Sequence, residues 1–387
     1  MPQQLDTKLI SWASQIEPDT VQQALKSARL DVVSGHIALM PDAHVGIGAT
    51  VGSVIPTEGA VIPSAVGVDI GCGMIASELS LTAADLPGSL DAFLKLVPRE
   101  IPAGLGQGHL AASRDAEAWL ATHPCPAELT TQQCNTTVTQ LGTLGSGNHF
   151  FEVCLDERDV VWLVLHSGSR GIGNQLANVF IKRAKELHKL AGTPLEDPDL
   201  AYFIEGTSDF KAYIDVMLWA QDYALENRKA MMDNALRAFF RFVGHGGEVD
   251  RINCHHNFTQ RETHGGRELW ITRKGAIQAN VTDRGVIPGS MGAQSFIVRG
   301  LGNHVSYNSA SHGAGRRMSR GEAKRTITEE TLRGQMAGRS WLTDNAAALL
   351  DEAPDAYKDI GTVMADQADL VAVEHELHQI LNYKGVK

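Results

Sequence analysis

The segment Val160-Val161-Trp162-Leu163-Val164-Leu165-His166-Ser167-Gly168-Ser169-Arg170-Gly171 indicates how this chain folds. Its first part is a continuous apolar run, which is typical of a β-strand buried on both faces. A short loop of serine and glycine follows, and apolar residues then recur at helical spacing from about 174 to 190. A buried strand that leads through a loop into a helix favours an α/β architecture.

Further segments mix strand and helix patterns in the same way. Strands are predicted over residues 37–40 and 268–272 and within 285–302, and helices over 208–242, with one break, and over 320–340. The pair His375 and His378 is interpreted as a helix face. Because no repeat, low-complexity linker or domain boundary is evident, we predict a mixed α/β (α+β) fold with central β-sheets flanked by helices. It would form a single large domain over residues 1–387, with a peripheral insertion at 104–142.

Composition and cysteine content limit the class of protein to which this chain can belong. The chain has 387 residues, of which 43% are hydrophobic and 20% charged, as in ordinary globular proteins. No apolar run approaches the roughly 18 residues of a membrane span, and the start lacks the pattern of a secretion signal. The 5 cysteines form no disulfide framework. We therefore expect reduced thiols, a cytoplasmic protein and no membrane partner.

The charge distribution is uneven. A net charge of −11 argues against a general nucleic-acid coat, because binding phosphates requires local positive charge. Residues 311–340, however, contain only three acidic residues and a cluster of basic ones: Arg316, Arg317, Arg320, Lys324, Arg325, Arg333 and Arg339. This cluster suits an enzyme that holds one RNA end, although a solvated helix face would have the same composition.

Several residues with metal-binding side chains stand next to glycines or at the ends of apolar runs: Asp69, Cys72, His149, His166, His255 and His256. Glycine allows close approach of the backbone to an ion, and strand ends fix side-chain direction. Thiolate and imidazole together favour zinc or another late metal, whereas the carboxylate also admits manganese. Each residue taken alone is also compatible with a hydrogen-bonded place in the core. The compact CxxC and HExxH zinc motifs are absent.

His312 lies in Ser311-His312-Gly313-Ala314-Gly315-Arg316. The glycines leave space for a nucleotide, and a neutral imidazole is a competent nucleophile toward phosphorus. An ordinary glycine turn would give the same local pattern. The stretch Ser169-Arg170-Gly171-Ile172-Gly173 is a weak candidate phosphate cradle at a helix start.

Taken together and in this order, five motifs resemble those of the RtcB-type RNA-splicing ligases. They are Val66-Gly67-Val68-Asp69-Ile70-Gly71-Cys72-Gly73, Gly147-Asn148-His149-Phe150, His166-Ser167-Gly168-Ser169-Arg170-Gly171, Ile287-Pro288-Gly289-Ser290-Met291-Gly292 and Ser311-His312-Gly313-Ala314-Gly315-Arg316. The resemblance runs from Met40 to Gly385, nearly the whole chain.

The resemblance implies a GTP-dependent enzyme with two Mn²⁺ ions, and in this respect it replaces the zinc expected from residue types. The implied metal ligands are Asp69, Cys72 as the bridge, His149, His166 and His256. His255 would face the other way if this segment is a strand. His312 corresponds to the histidine that becomes covalently linked to GMP.

The resemblance also implies a GTP pocket, in which Glu152 and Lys384 would read the guanine base as acceptor and donor. The pocket comprises Asn148, His149, Phe150, Phe151, Glu152, His256, Asn257, Pro288, Gly289, Ser290, Met291, Ser295, Gly313, Ala314, Gly315 and Lys384. Candidates for contact with phosphate or the RNA end are Asp42, Arg170, Lys274, Arg316 and Arg320.

The implied reaction joins RNA ends with a 2′,3′-cyclic phosphate or 3′-phosphate to 5′-hydroxyl ends, in tRNA splicing or RNA repair. The 104–142 region is shorter than in many relatives, which favours a specialised paralogue that repairs cleaved rRNA or tRNA. We expect a monomer, and the sequence leaves open whether a partner protein activates it. The alternatives are a metal-dependent phosphoesterase with the same ligands and a non-catalytic RNA-end binder.

Overall fold

The computed structural model describes residues 2–385, which contain eighteen strands and twelve α-helices. The strands are β1 (Gln3–Asp6), β2 (Leu9–Ser11), β3 (Ile37–His44), β4 (Val51–Thr57), β5 (Ala60–Val61), β6 (Gly73–Thr82), β7 (Phe150–Leu155), β8 (Val160–Ser167), β9 (Phe203–Ile204), β10 (Glu248–His255), β11 (Asn257–His264), β12 (Arg267–Lys274), β13 (Ala276–Gln278), β14 (Arg284–Pro288), β15 (Ser295–Gly300), β16 (Ser309–Ser311), β17 (Ser340–Trp341) and β18 (Val371–Lys384).

The α-helices are separated by strands along most of the chain. They are α1 (Pro18–Ala28), α2 (Pro63–Val66), α3 (Asp91–Leu94), α4 (Val97–Glu100), α5 (Arg114–Thr122), α6 (Thr131–Gln140), α7 (Arg170–Ala191), α8 (Ser208–Val243), α9 (Arg320–Thr326), α10 (Glu329–Gln335), α11 (Ala346–Leu349) and α12 (Ile360–Asp366). None of the described helices is long and apolar enough to cross a membrane.

Two large sheets form the centre of the molecule. One has six strands in the order β1-β2-β3-β4-β12-β11. The other has eight, with the order β10-β6-β8-β7-β18-β15-β14 and β17 paired to β18. Helix α8 packs on β6, β8 and β10 of the eight-stranded sheet, and α7 packs on α8. Leu163 and Leu165 of β8 are fully buried, so the predicted mixed α/β fold is confirmed.

At one crossing between the two sheets, a single residue separates the strands. Strand β10 ends at His255 and β11 begins at Asn257, so His256 stands at the junction. The amides of His256 and Asn257 both donate to the carbonyl of Cys72, at 2.8 and 3.2 Å. This junction therefore brings the start of β6 against the seam between the two sheets.

Three sequence predictions of local structure differ from the fold. Helix α8 is continuous, capped by the Thr207 side chain at its start and by Gly244 in the left-handed region at its end. His375 and His378 lie on the long strand β18, not on a helix. The 104–142 region, whose polar sequence predicts a loop-rich insertion, contains helices α5 and α6, the latter with a capping box between Thr130 and Gln133.

Candidate active site

Four neighbouring strands of the eight-stranded sheet end at one place. Cys72 and His149 immediately precede β6 and β7, His166 is near the end of β8, and His256 follows β10. The register aligns His166 with Phe150 on one side and with Met74 on the other. Strand pairing therefore gathers side chains that are up to 184 positions apart, from 72 to 256, at one edge of the sheet.

The side chains gathered at this edge form two overlapping groups. Cys72 Sγ lies 3.5 Å from His149 Nε2 and 3.2 Å from His166 Nε2. His149 Nε2 lies 2.9 Å from a carboxylate oxygen of Asp69, and His166 Nε2 lies 3.2 Å from His256 Nε2. One trio is Asp69, Cys72 and His149, and the other is Cys72, His166 and His256. Within each trio the potential ligand atoms lie within 4.8 Å of one another, which is close enough for one ion. Cys72 belongs to both trios, so two cations could share its sulfur.

Backbone carbonyls orient two of the imidazoles toward that sulfur. His149 Nδ1 lies 2.9 Å from the carbonyl of Leu144, and His166 Nδ1 lies 3.2 Å from that of Asn148. A carbonyl only accepts, so each Nδ1 carries the hydrogen and each Nε2 turns its lone pair toward Cys72. This is the outer hydrogen bonding that metal-ligating histidines usually have.

Protonation in the cluster also suits a cation. Burial lowers the pKa of His166 and of His256 well below 6.5, so both rings are neutral. Burial raises the pKa of the Cys72 thiol, and the charge of Asp69 raises it further. Burial alone would raise the pKa of Asp69, but the neighbouring His149, Cys72 and His166 together outweigh it, and the net shift is downward. Converging lone pairs, a partly exposed carboxylate and a buried thiol are a donor set that a divalent metal satisfies.

An arginine from α8 supports the cluster from behind. The fully buried guanidinium of Arg228 donates to the carbonyls of Gly71 and Ser167, at 2.7 and 3.1 Å, and to Asn253 Oδ1 at 2.8 Å. It also lies 3.2 Å from His255 Nδ1, and His255 is in neither group of candidate metal ligands. Arg228 thus ties together the segments that carry the cluster. No local motif around residue 228 marks it in the sequence.

His312 follows the short strand β16 and lies beside the cluster. Its ring centroid is 4.8 Å from that of His256. Its Nδ1 lies 2.6 Å from Asp42 Oδ2, and its backbone amide donates to the same oxygen at 3.3 Å. Since a carboxylate accepts, Nδ1 carries the proton and Nε2 retains the lone pair that a nucleophile needs. Asp42, predicted to contact phosphate or RNA, is instead fully buried against His312.

A cavity of 350 Å³ opens in front of these groups, within the range of about 300–1,000 Å³ that is usual for small-molecule sites. It contacts Asp69, Cys72, His166, His256 and His312. Most of the predicted nucleotide-binding residues line it as well: Asn148, Phe150, Glu152, Asn257, Pro288, Gly289, Ser290, Met291, Gly313, Ala314, Gly315 and Lys384.

Three residues predicted for this pocket do not line it: His149, Phe151 and Ser295. His149 belongs to the metal-capable cluster, and the other two are fully buried. Phe151 is fully buried in the apolar core and packs edge-on against Phe93, because alternate residues of β7 face opposite sides. Ser295 is fully buried at the start of β15, and its hydroxyl has no hydrogen-bond partner among residues 2–385. Both lie behind the cavity wall.

Acidic and basic side chains also meet at the cavity wall around Glu352 and Lys384. Burial would raise the pKa of Glu352, but Lys384, with Nζ 2.6 Å away, and Arg320 lower it to about 2. Burial raises the pKa of Glu152 to about 8, although Lys384 and a 2.6 Å hydrogen bond from Asn382 favour the charged form. Glu352 lines the cavity although no sequence motif marks it.

The basic residues predicted to contact phosphate or the RNA end make different contacts within the protein. Arg320 pairs with Glu352 and with Asp351, at 2.6 Å to the latter, so acidic residues compensate part of the basic cluster. Lys274 is buried at the cavity wall and donates to the carbonyl of Ser64 at 3.0 Å, and burial lowers its pKa to about 8. Arg170 is buried and donates to Thr143 Oγ1 at 3.0 Å. Arg316 bonds the Tyr357 hydroxyl at 2.9 Å.

Comparison with known proteins identifies the family. The family model described as tRNA-splicing ligase RtcB matches residues 23–385. RNA-splicing ligase RtcB of Escherichia coli K12 is 46% identical, over 96% of this chain and 95% of its own length. tRNA-splicing ligase RtcB of Aeropyrum pernix is 30% identical, over 89% of this chain and 86% of its own length. With the metal-capable cluster, these matches indicate a metal-dependent enzyme. The chain belongs to the RtcB family of RNA ligases.

Proposed function

We propose that this ligase joins RNA ends with GTP and Mn²⁺, and that it carries GMP on His312 between the two halves of the reaction. The observation that carries the proposal is the position of His312. Its Nδ1 is held by buried Asp42 at 2.6 Å, while its ring stands beside His256 at the wall of the cavity. A histidine so fixed has one nitrogen free to attack phosphorus.

The proposed metal sites are the two trios. Asp69, Cys72 and His149 would hold one Mn²⁺ ion, and Cys72, His166 and His256 the other. The ions would neutralise the negative charge that builds on the phosphates during transfer. The donor set by itself also suits zinc, so the choice of manganese rests on the family resemblance.

The proposed GTP site is the cavity wall between β7 and β18. Glu152 would accept from the guanine N–H groups, and Lys384, whose Nζ lies 5.4 Å from the centre of the Phe150 ring, would donate to the base. Glycine and proline backbone at 288–289 and 313–315 leaves room for ribose and phosphate. Phe151 and Ser295 would support this wall from behind.

The proposed reaction has three parts. His312 Nε2 attacks the α-phosphorus of GTP, and pyrophosphate leaves. Water opens a 2′,3′-cyclic phosphate to a 3′-phosphate, whose oxygen then takes GMP from His312. The 5′-hydroxyl of the second RNA attacks the activated 3′-phosphorus, the new phosphodiester forms and GMP leaves. This chain supplies positioning of His312 and of the phosphates, which is a large part of catalysis in such transfers.

The biological setting is also part of the proposal. RNA with the ends described above would be the substrate, in tRNA splicing or in repair of cleaved rRNA or tRNA. Residues 1–387 would form a single domain, and the enzyme would act as a monomer in the cytoplasm. A reducing compartment suits the five free thiols, Cys72, Cys125, Cys134, Cys154 and Cys254.

The test combines labelling and ligation. Protein incubated with α-labelled GTP and MnCl₂ should retain label, and His312→Ala should retain none. A defined RNA pair with a 3′-phosphate and a 5′-hydroxyl should yield a joined product only with both GTP and a divalent metal. Titration of metal-free protein with Mn²⁺ and Zn²⁺ identifies the ion that supports the reaction.

Other outcomes would favour the alternatives. Release of phosphate from RNA ends without protein labelling would indicate a phosphoesterase. RNA binding with neither labelling nor turnover would indicate a non-catalytic end binder.

A further inference from the structure

A second cavity, of 460 Å³, lies beside the active site. Its walls come from the 104–142 insertion and from the start of α7. Polar side chains on one face of α6 and the loop at 104–106 form one side, and Ser146 with Arg170 forms the other. The volume falls in the range of about 300–1,000 Å³ that small-molecule sites occupy.

Arg170 and one loop separate this cavity from the metal cluster. The guanidinium of Arg170 packs against Gly145, where an added Cβ would clash with Arg170 Nη1 and lie 3.0 Å from His149 Nδ1. Gly145 has φ +95°, which favours glycine, so sequence and backbone both maintain this close approach. A ligand in the second cavity is therefore one side chain away from the proposed site of phosphate chemistry.

The chemistry of the walls is amide-rich and carries a single cation. Gln132, Gln133 and Gln175 contribute amides, of which Gln133 Nε2 donates to Gln175 Oε1 at 2.5 Å. Arg170 is the one charged residue among the described lining residues. Such walls suit a neutral, flat group with hydrogen-bonding edges that is linked to one negative charge.

Gln140 supplies a separate indication of a ligand. It is 6% exposed and lines the cavity. Its side-chain amide makes no hydrogen bond to any of residues 2–385, although its backbone carbonyl accepts from Thr143 Oγ1 at 2.6 Å. Its donor and acceptor are therefore available to a ligand in the cavity that Gln140 lines.

We propose that this cavity binds a nucleobase of the RNA strand next to the break, that the Gln140 amide reads its edge, and that its phosphate faces Arg170. The inference rests on the proposed ligase function and deepens it. An amide carries a donor and an acceptor side by side, which matches the edge of a base, and unpaired bases at RNA ends are accessible to such contacts. The insertion would then govern which RNA ends are joined.

The experiment compares RNA pairs that differ only in one missing base. Abasic residues are placed in turn at the last two nucleotides of the 3′-phosphate strand and the first two of the 5′-hydroxyl strand. Ligation rates are normalised to the amount of GMP-labelled enzyme. The wild-type enzyme should join one of the abasic pairs about tenfold more slowly than the intact pair, as expected for loss of a two-point amide–base contact. The affected position identifies the strand.

Two variants on α6 complete the test. Gln140→Leu should reduce this preference for the intact pair to within about twofold. Asn135→Leu, on the same helix but exposed and outside the cavity, should retain the wild-type preference. A wild-type enzyme that joins all abasic pairs as fast as the intact one would overturn the inference even if Gln140→Leu did not fold. An unchanged preference in Gln140→Leu would also overturn it. If wild-type protein neither takes label from GTP nor joins intact RNA, the ligase proposal itself fails.

Discussion

The pairing of His312 with Asp42 makes the change Asp42→Asn the most informative perturbation of the site. In the wild type, Asp42 Oδ2 accepts two hydrogen bonds, from His312 Nδ1 at 2.6 Å and from its backbone amide at 3.3 Å. The other oxygen, Oδ1, is buried and has no hydrogen-bond partner among residues 2–385. The variant must place one carboxamide oxygen and one NH₂ group in these two unequal positions.

Each orientation of the introduced carboxamide has a cost. With its oxygen toward His312, the NH₂ group occupies the unpartnered position, and an unsatisfied buried donor costs about 1–3 kcal/mol. With its NH₂ group toward His312, Nδ1 must accept, so the proton moves to Nε2 and the attacking lone pair is lost. The same exchange in a serine-protease triad slows catalysis about 10⁴-fold. We expect single-turnover guanylylation of Asp42→Asn to fall by at least about 100-fold.

The assay is a quenched-flow measurement of label transfer from α-labelled GTP to protein, with thermal unfolding measured in parallel. Asp366→Asn serves as the matched control, because that carboxylate is near the surface and accepts from the amide of Ser14 at 2.8 Å, away from His312. It should label at the wild-type rate. A folded Asp42→Asn protein that also labels at the wild-type rate would refute the role given to Asp42.

Three further predictions concern the metal cluster, the base pocket and the backbone beneath the nucleophile. Cys72→Ser should weaken binding of Mn²⁺ by at least about tenfold at both sites, measured by equilibrium dialysis, because the two trios share that sulfur; retention of both ions would contradict this. Since burial raises the pKa of Glu152 to about 8, free enzyme holds it protonated at neutral pH, whereas guanine requires the carboxylate. GTP affinity should therefore rise up to about tenfold per pH unit from pH 6 to pH 8 and level off above pH 8. Calorimetry should detect release of a proton on binding, and the affinity of Glu152→Gln should not depend on pH in this way. Gly315→Ala should lower the free energy of unfolding by about 2 kcal/mol, since φ is +73° and the added Cβ would clash with the carbonyl of Asp42. Gly334→Ala, with no atom within 4 Å of the added Cβ, should unfold no more easily than wild type.

The gathering of the candidate metal ligands could be predicted from sequence because the chain marks them locally. Cys72, His149 and His166 lie at or beside strand ends, Asp69 lies three residues before Cys72, and strand ends on one side of a sheet meet in space. The motifs also gave the position of His312. The fold class followed from the same alternation of apolar runs and loops.

Contacts between distant segments could not be predicted in this way. Asp42 lies within a buried strand and precedes His312 by 270 positions, and only the fold shows that the two side chains meet. Arg228 lies in the middle of α8, where a basic residue ordinarily faces solvent. Glu352 became a cavity residue because Lys384 and Arg320 compensate its buried charge.

Local patterns also misled where two structures share one spacing. His375 and His378 are three positions apart, which suits a helix face. The segment is nevertheless the strand β18, since its backbone pairs with β7 on one side and β15 on the other. Tertiary pairing outweighed the local preference there. Among the basic residues after His312, Arg320 is exposed but paired, because Asp351 and Glu352 approach it from a later segment, and Arg316 is only partly exposed.

The position of β18 (Val371–Lys384) affects how the enzyme folds during its synthesis. Ribosomes make this segment after every other strand of the described fold, yet it fills the gap between β7 and β15 in the middle of the larger sheet. A prematurely terminated copy would leave two open strand edges and lack Lys384. If Lys384 has its proposed role in binding GTP, truncated products would be unable to join RNA, and their open strand edges would expose unpaired backbone groups.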